Sequence, residues 1–121
     1  TGRRDASFPP DSPEAAFQGY LHAWDAGDPD GAYAVLSDRA RSRVPEREFR
    51  QVHRGSGDES VRVWIDDVSG TDERVTLAVT FESTYPGLLR SERYRDETRI
   101  RMVREDGAWK IDTPLVGYHP W

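Results

Sequence analysis

Asp96 is the residue in this sequence with the most chemical promise. It shares strand parity with Tyr94, Thr98, Ile100 and Met102, so its carboxylate belongs on the same side as those largely apolar neighbours. A carboxylate held against apolar surface is harder to ionise, and can act as a general acid–base or as a neutral hydrogen-bond donor. Tyr20, inside the first amphipathic segment, is placed to give a second hydrogen bond to a substrate oxygen. Asp96 and Tyr20 are therefore the candidate catalytic residues. The same parity supplies only Thr98 as a further polar group. A position near the strand's start would instead leave Asp96 in water beside Arg93 or Arg95. Both readings stand on the sequence.

Six aromatic residues, Tyr20, Trp24, Tyr33, Phe81, Tyr94 and Trp109, sit at helical or strand spacing. Gathered around a cavity they would take a flat, small apolar ligand. Packed on one another they would be ordinary core, which a chain of this length needs. The polar tips of Tyr and Trp favour a partly wet cavity over a dry one.

Other chemistries find no support. His22, His53 and His119 lack the spacing of a helical metal motif, and the chain has no cysteine, so no metal and no cofactor is expected. The run Asp25-Ala26-Gly27-Asp28-Pro29-Asp30-Gly31 resembles a calcium loop, but aligning Gly31 to the required glycine puts Ala26 and Ser37 at the terminal ligand positions. Gly55-Ser56-Gly57 lacks the context of a nucleophile elbow or phosphate loop and reads as a linker. Seventeen basic against twenty-two acidic residues give a net charge of −5, which argues against a nucleic-acid partner bound through bulk charge. A content of 36% hydrophobic and 11% aromatic residues is too apolar for a disordered chain.

A basic face offers a different use. Arg93, Arg95, Arg99 and Arg101 alternate with the apolar side of their strand, and Arg62, Arg74, Glu82 and Glu97 are expected nearby. Such a face forms a ladder of exposed cross-strand ion pairs, or an interface. Trp64 has the opposite parity from Val63 and Ile65 and would project among the arginines as an anchor. Trp64, Arg62, Arg99 and Arg101 are the candidate interface residues of a homodimer.

The elements that must position these residues follow from local signals. Residues 1–11 carry Pro9, Pro10 and mixed charge without periodicity, and read as a flexible leader to a single domain over 12–121. Ser12-Pro13-Glu14 opens a helix that runs to Ala26 and stops at Gly27, with Phe17, Tyr20, Leu21 and Trp24 on its apolar face. Asp28-Pro29 starts a second helix burying Ala32, Tyr33, Val35 and Leu36. Ser37 to Arg43 is polar, and Pro45-Glu46 starts a third helix that buries Phe49 and Val52. Strict alternation then marks strands over 61–66, 74–81, 93–102 and 108–112, the last pair joined by an Asp106-Gly107 hairpin turn. Thr113 to Trp121 is a tail with two prolines, whose end, Tyr118-His119-Pro120-Trp121, would fold over a pocket mouth or onto a partner. Three helices followed by a curved, four-stranded, mostly antiparallel sheet make an α+β domain.

The segments PEAAFQGYLHAWDAGD, PDGAYAVLS and PEREFRQVHR, followed by RVWIDDVSG, ERVTLAVTFES, RYRDETRIRMVREDG and AWKID, resemble the nuclear transport factor 2-like (cystatin-like) superfamily over Ser12 to Asp112. The short helix with Phe49 and the Gly107-to-Asp112 finish are most similar to small extracytoplasmic lipoprotein-like members and to the non-catalytic N-terminal domain of some penicillin-binding proteins. The resemblance implies a cone-shaped half-barrel. Its concave face encloses a pocket in isomerases, dehydratases and cyclases, and is kept without chemistry or filled in many relatives. It also implies dimerisation through the outer sheet face. The expectation is a non-catalytic ligand-binding or accessory domain outside the cytoplasm, held at a membrane only through an anchor preceding Thr1. An isomerase-type enzyme using Asp96, and a structural homodimerisation module, are the alternatives.

Overall fold

A computed structural model gives the structure of residues 8–55, 60–85 and 92–120. Most of the leader, the centre of the Gly-Ser-Gly linker, the Pro86-Gly87 loop and Trp121 lie outside these described residues. Among the latter the order is α1 (Pro13–Asp25), α2 (Pro29–Tyr33), α3 (Asp38–Arg43), α4 (Glu46–Gly55), β1 (Ser60–Gly70), β2 (Arg74–Tyr85), β3 (Glu92–Glu105), β4 (Ala108–Ile111), β5 (Leu115–Val116) and β6 (His119–Pro120).

The start of α1 follows its sequence signals. Ser12 accepts a hydrogen bond from the Ala15 amide at 3.2 Å, and Pro13 occupies the first turn, where its missing N–H costs nothing. Phe17, Tyr20, Leu21 and Trp24 are buried on one face. Asp28 caps α2 by accepting from the Gly31 amide at 3.0 Å.

The second helix is shorter than its pattern predicts. It ends at Tyr33 because the next residues leave the helix to pair with β4: Ile111 donates to the Val35 carbonyl and Ser37 donates to the Ile111 carbonyl, each at 2.8 Å. This cover protects the outer edge of β4. The polar stretch after it is helical rather than irregular. Ser37 caps α3 by accepting from the Ala40 amide at 3.1 Å, and Ala40 is the residue that α3 buries. In α4, Phe49 is buried as expected, but Val52 is 41% exposed and contributes little to the core.

The sheet is antiparallel in the order β1-β2-β3-β4 and does not close into a barrel. The α+β class and the helices-on-sheet arrangement are as the alternation predicts. Asp106 and Gly107, at φ 51° and 79°, form the two-residue turn between β3 and β4. The inner face carries Val63, Val79, Leu77, Phe81, Ile100 and Met102, all buried. One feature departs from simple alternation. A bulge between Ile65 and Asp67 shifts the register so that Asp67, not Asp66, pairs with Ala78. Both acids therefore lie on the outer side, Asp66 accepting a hydrogen bond from Thr80.

The tail is part of the core. β5 and β6 form a tight hairpin through Gly117, and Leu115, Val116 and Tyr118 are buried. Gly117 has φ +62°, and a Cβ there would lie 2.9 Å from the Trp24 ring. Gly117→Ala is therefore expected to destabilise the fold by about 2 kcal/mol, combining left-handed backbone cost with a ring clash. Urea denaturation checks this, with a lower midpoint at unchanged slope.

Candidate functional site

The inner aromatic residues pack into one another. Phe49 is the hub, with the rings of Tyr20, Trp24 and Tyr33 at centroid distances of 6.4, 5.2 and 5.2 Å. Phe81 meets Phe17 at 6.4 Å and Tyr118 at 6.1 Å, both nearly edge-on. The C-terminal hairpin thus fills the space between α1 and the sheet. Tyr20 is fully buried, and its hydroxyl donates to the Gly117 carbonyl at 2.7 Å. Burial pushes its phenol well above the ordinary value, and the Tyr118 phenol beside it acts in the same direction. Tyr118 in turn donates to Asp25 at the end of α1. Tyr33 donates to the Val44 carbonyl at 2.7 Å, and burial followed by the nearby Glu46 carboxylate raises its phenol as well.

The candidate residues from the sequence separate into groups. Tyr20, Trp24, Tyr33 and Phe81 are joined by contacts through Phe49 and Tyr118. Trp109 is half-buried beneath the Arg104 guanidinium, 5.7 Å from its ring. Tyr94 is 54% exposed, although its parity is that of the inner face. Asp96 pairs across the sheet with Phe81, as its parity requires, but its side chain is exposed. The expected apolar surroundings are missing: residues 93–97 of β3 are all exposed, although Phe81 across from Asp96 is buried against Phe17. The desolvation on which an acid–base role would depend is absent, and the Tyr20 hydroxyl is committed to Gly117. Neither placement lends the acid–base reading support. Among the described residues no cluster of His, Cys, Asp or Glu could hold a metal ion.

The outer face holds the interface candidates. Arg62, Glu82 and Arg95 share one row, Trp64, Thr80 and Glu97 the next, then Asp67, Ala78 and Arg99, then Ser69, Thr76 and Arg101. Trp64 is half-buried, and the Arg95 guanidinium lies 5.7 Å from its ring. Arg95 also donates to Glu82 at 2.7 Å. That bond, helped by the positive charges of Arg95, Arg93 and Arg62, holds the Glu82 carboxyl below its usual value.

At the far end of this face Arg74, Thr76, Arg101, Val103 and Asp112 line a groove of about 200 Å³. The sequence reading placed Arg74 and Arg101 on the basic side without joining them. Parity alone shows both facing outward, whereas their proximity depends on the β2–β3 register.

Several solved structures share this architecture. The chain is similar to a SEC-C motif-containing protein from Rhodopseudomonas palustris, with a TM-score of 0.67 and 15% identity over 87% of this chain and 78% of that one. It is similar to a structure from Thiobacillus denitrificans described as a calcium/calmodulin-dependent protein kinase type II association domain, with a TM-score of 0.67 and 18% identity over 88% and 93%. A designed nuclear transport factor 2-type protein matches with a TM-score of 0.52 and 13% identity over 78% and 87%. Neither a family model nor a curated protein sequence matches the chain. At these identities the likeness is one of fold, and the chain has the nuclear transport factor 2-like fold.

Two substitutions separate the buried phenol from the exposed carboxylate. Tyr20→Phe leaves the Gly117 carbonyl without its partner and is expected to cost about 1–2 kcal/mol. Asp96→Asn is expected to stay within about 0.5 kcal/mol of wild type. The Tyr20 phenol ionises less readily folded than unfolded, where its ordinary value is 10.0. Its contribution is therefore fully present below pH 10 and is lost as pH rises toward the folded value. Unfolding free energies measured from neutral pH to about 11 should fall less steeply above 10 in Tyr20→Phe than in wild type.

Proposed function

We propose that this protein is a non-catalytic interaction domain that works through the outer face of its sheet, with a second copy of the chain as its partner. The observation behind this reading is the contrast between the two faces of one sheet. Inside, the C-terminal hairpin occupies the space that a ligand would need, so an apolar ligand would compete with Leu115 and Tyr118 for it. Outside, Trp64 stands half-buried in a charged surface whose signs are arranged across the strands.

The row Asp67–Ala78–Arg99 gives the self-complementarity. It has an acid on β1, a small side chain on β2 and a base on β3. A two-fold axis running along β2 lays Asp67 of each copy over Arg99 of the other and lets the sheets approach closely at Ala78. The same operation lays Trp64 over Glu97, but in the next row it lays Arg62 over Arg95. The unlike-charge contact is therefore confined to the Asp67 and Trp64 rows, and Arg62 and Arg101 lie at its margins. A solved structure of the same fold carries the name of an association domain, in keeping with a role in assembly. The sequence resemblance to extracytoplasmic lipoprotein-like members and to penicillin-binding-protein accessory domains favours a site outside the cytoplasm. No helix among the described residues is long and apolar enough to cross a membrane; the proposed attachment is an anchor preceding Thr1. A signal peptide or lipobox cysteine upstream in the coding sequence would support that placement, and an initiating Met close to Thr1 would refute it.

Sedimentation velocity tests the pairing. Wild type is expected to dimerise, with Arg99→Asp, Asp67→Arg and Trp64→Ala each weakening the dimer by about tenfold or more. The double exchange Asp67→Arg with Arg99→Asp should restore it, because the signs are swapped in both copies. A wild-type monomer at all concentrations, or no rescue, would overturn the reading. Native mass spectrometry at low collision energy adds an independent check. A retained mass of a few hundred daltons, on the order of a small ligand, would return the function to the interior.

A further inference from the structure

The groove at the start of β2 has the composition of an anion site. Arg74 pairs with Val103, and Thr76 pairs with Arg101. The two arginines are thus diagonal neighbours on the outer face, roughly 7 Å apart at Cβ, with the Thr76 hydroxyl on the same surface. Among the described residues neither guanidinium has a carboxylate or hydrogen-bond partner, and the Thr76 hydroxyl has none either. The other charges nearby are spoken for. Asp112 lines the groove, but one carboxylate oxygen accepts from the Ser37 hydroxyl at 2.8 Å and the other lies 3.9 Å from Arg39. Lys110, across from Val103, donates to the Ala34 carbonyl at 2.9 Å.

Like charges at neighbouring sheet positions oppose each other, and here no ion pair to a described carboxylate offsets the repulsion. We infer that the groove lined by Arg74, Thr76 and Arg101 binds the phosphate group of a small phosphate monoester. Two guanidinium forks and a hydroxyl match the charge and acceptor oxygens of a phosphate dianion. A single carboxylate would balance only one of the two arginines. The space of about 200 Å³ admits the phosphate together with part of the group it esterifies. Asp112 forms one wall, so the phosphate oxygens must turn toward the two arginines and away from that carboxylate. With a net charge of −5 over the chain, attraction is confined to the groove, within the Debye length of about 8 Å at physiological salt. The inference does not rest on dimerisation. The Thr76–Arg101 row lies two β2 residues, about 7 Å, from the Ala78 row at the two-fold, so the two patches adjoin and bound phosphate is expected to weaken the pairing without requiring it.

The test is a titration of the ¹⁵N-labelled protein with inorganic phosphate, glycerol phosphate and sodium chloride at matched ionic strength, followed through the amides of residues 74–76 and 101–103. Saturable shifts at these amides with either phosphate, absent with chloride, are expected. Tighter binding of glycerol phosphate would identify an ester as the ligand, and equal binding would reassign the site to free inorganic phosphate. Arg74→Gln and Arg101→Gln should each weaken binding at least tenfold, while Arg101→Lys retains part of it. Sedimentation of the same samples reports the oligomeric state separately, so failure of the site and failure of the dimer are distinguishable. Shifts equal to those from chloride, or unchanged in both glutamine variants, would overturn the inference. Loss of dispersion elsewhere in the spectrum would mark a misfolded variant, leaving the other substitution to decide.

Discussion

A buried phenol must donate its hydrogen bond to something, and Tyr20 donates to a carbonyl 97 residues further along the chain. That one bond fixes where the C-terminal hairpin sits against α1. It requires Gly117 to turn in a left-handed conformation, and the Trp24 ring leaves no room for a side chain there. Once the turn is set, Tyr118 lies on Phe81 and reaches Asp25, so the hairpin ties the end of α1 to the sheet. Phe49 completes the arrangement by bringing α4 onto the rings of Tyr20 and Trp24, while the His53 ring nitrogen lies 2.8 Å from the Trp24 carbonyl. A helix as polar as α4 gains its place through such contacts rather than through propensity.

The same packing decides where chemistry can occur. A domain of 121 residues has few large side chains to spare, and here they are spent on one another. Aromatic residues that would line a pocket in an open cone become a closed set whose polar tips find partners in the backbone and in Asp25. The phenols of Tyr20, Tyr33 and Tyr118 are thereby drawn into structural hydrogen bonds, and Asp96 is left in the exposed run of residues 93–97. Among the described residues, the outer face of β1, β2 and β3 carries charges arranged in rows across the strands. Its charge pattern owes much to the bulge at Asp66, which turns two consecutive acids to one side where a regular strand would alternate them.

Strict alternation made β2 and the second half of β3 legible from sequence, as Ser12-Pro13 and the apolar stripe did for α1. The elements that alternation cannot report were less legible. Ala40 is the residue α3 buries, so that helix offers no periodic signal. Val35 and Leu36 look helical by spacing, yet their backbone is claimed by Ile111, a tertiary demand that no local pattern contains. Val52 has helical phase with Phe49 but is left 41% exposed. The hairpin at Gly117 has strands of two residues, too short for any period. At the sites, the facing of Trp64 and of the arginines followed from parity. Their neighbours required the register, because a pairing shifted by two residues keeps every side chain on its face and changes every partner.

The register also explains why one face carries two different patches. In the row through Ala78 the charges are opposite on the two flanking strands, so a two-fold partner along β2 brings unlike charges together. In the row through Thr76 the β1 position is Ser69, and the β3 position is Arg101. The same two-fold operation therefore lays a hydroxyl, not an acid, over Arg101. Arg74 lies one step past the last paired position of β1, where Gly70 meets Val75, and its own row holds no β1 residue to be exchanged. Symmetry can neutralise the first patch from within the protein, but it supplies no carboxylate from these rows to the second. The one carboxylate lining that groove, Asp112, can offset only one of its two arginines, and this difference between the rows is the ground for proposing a small anion for the groove and a second copy of the chain for the other patch.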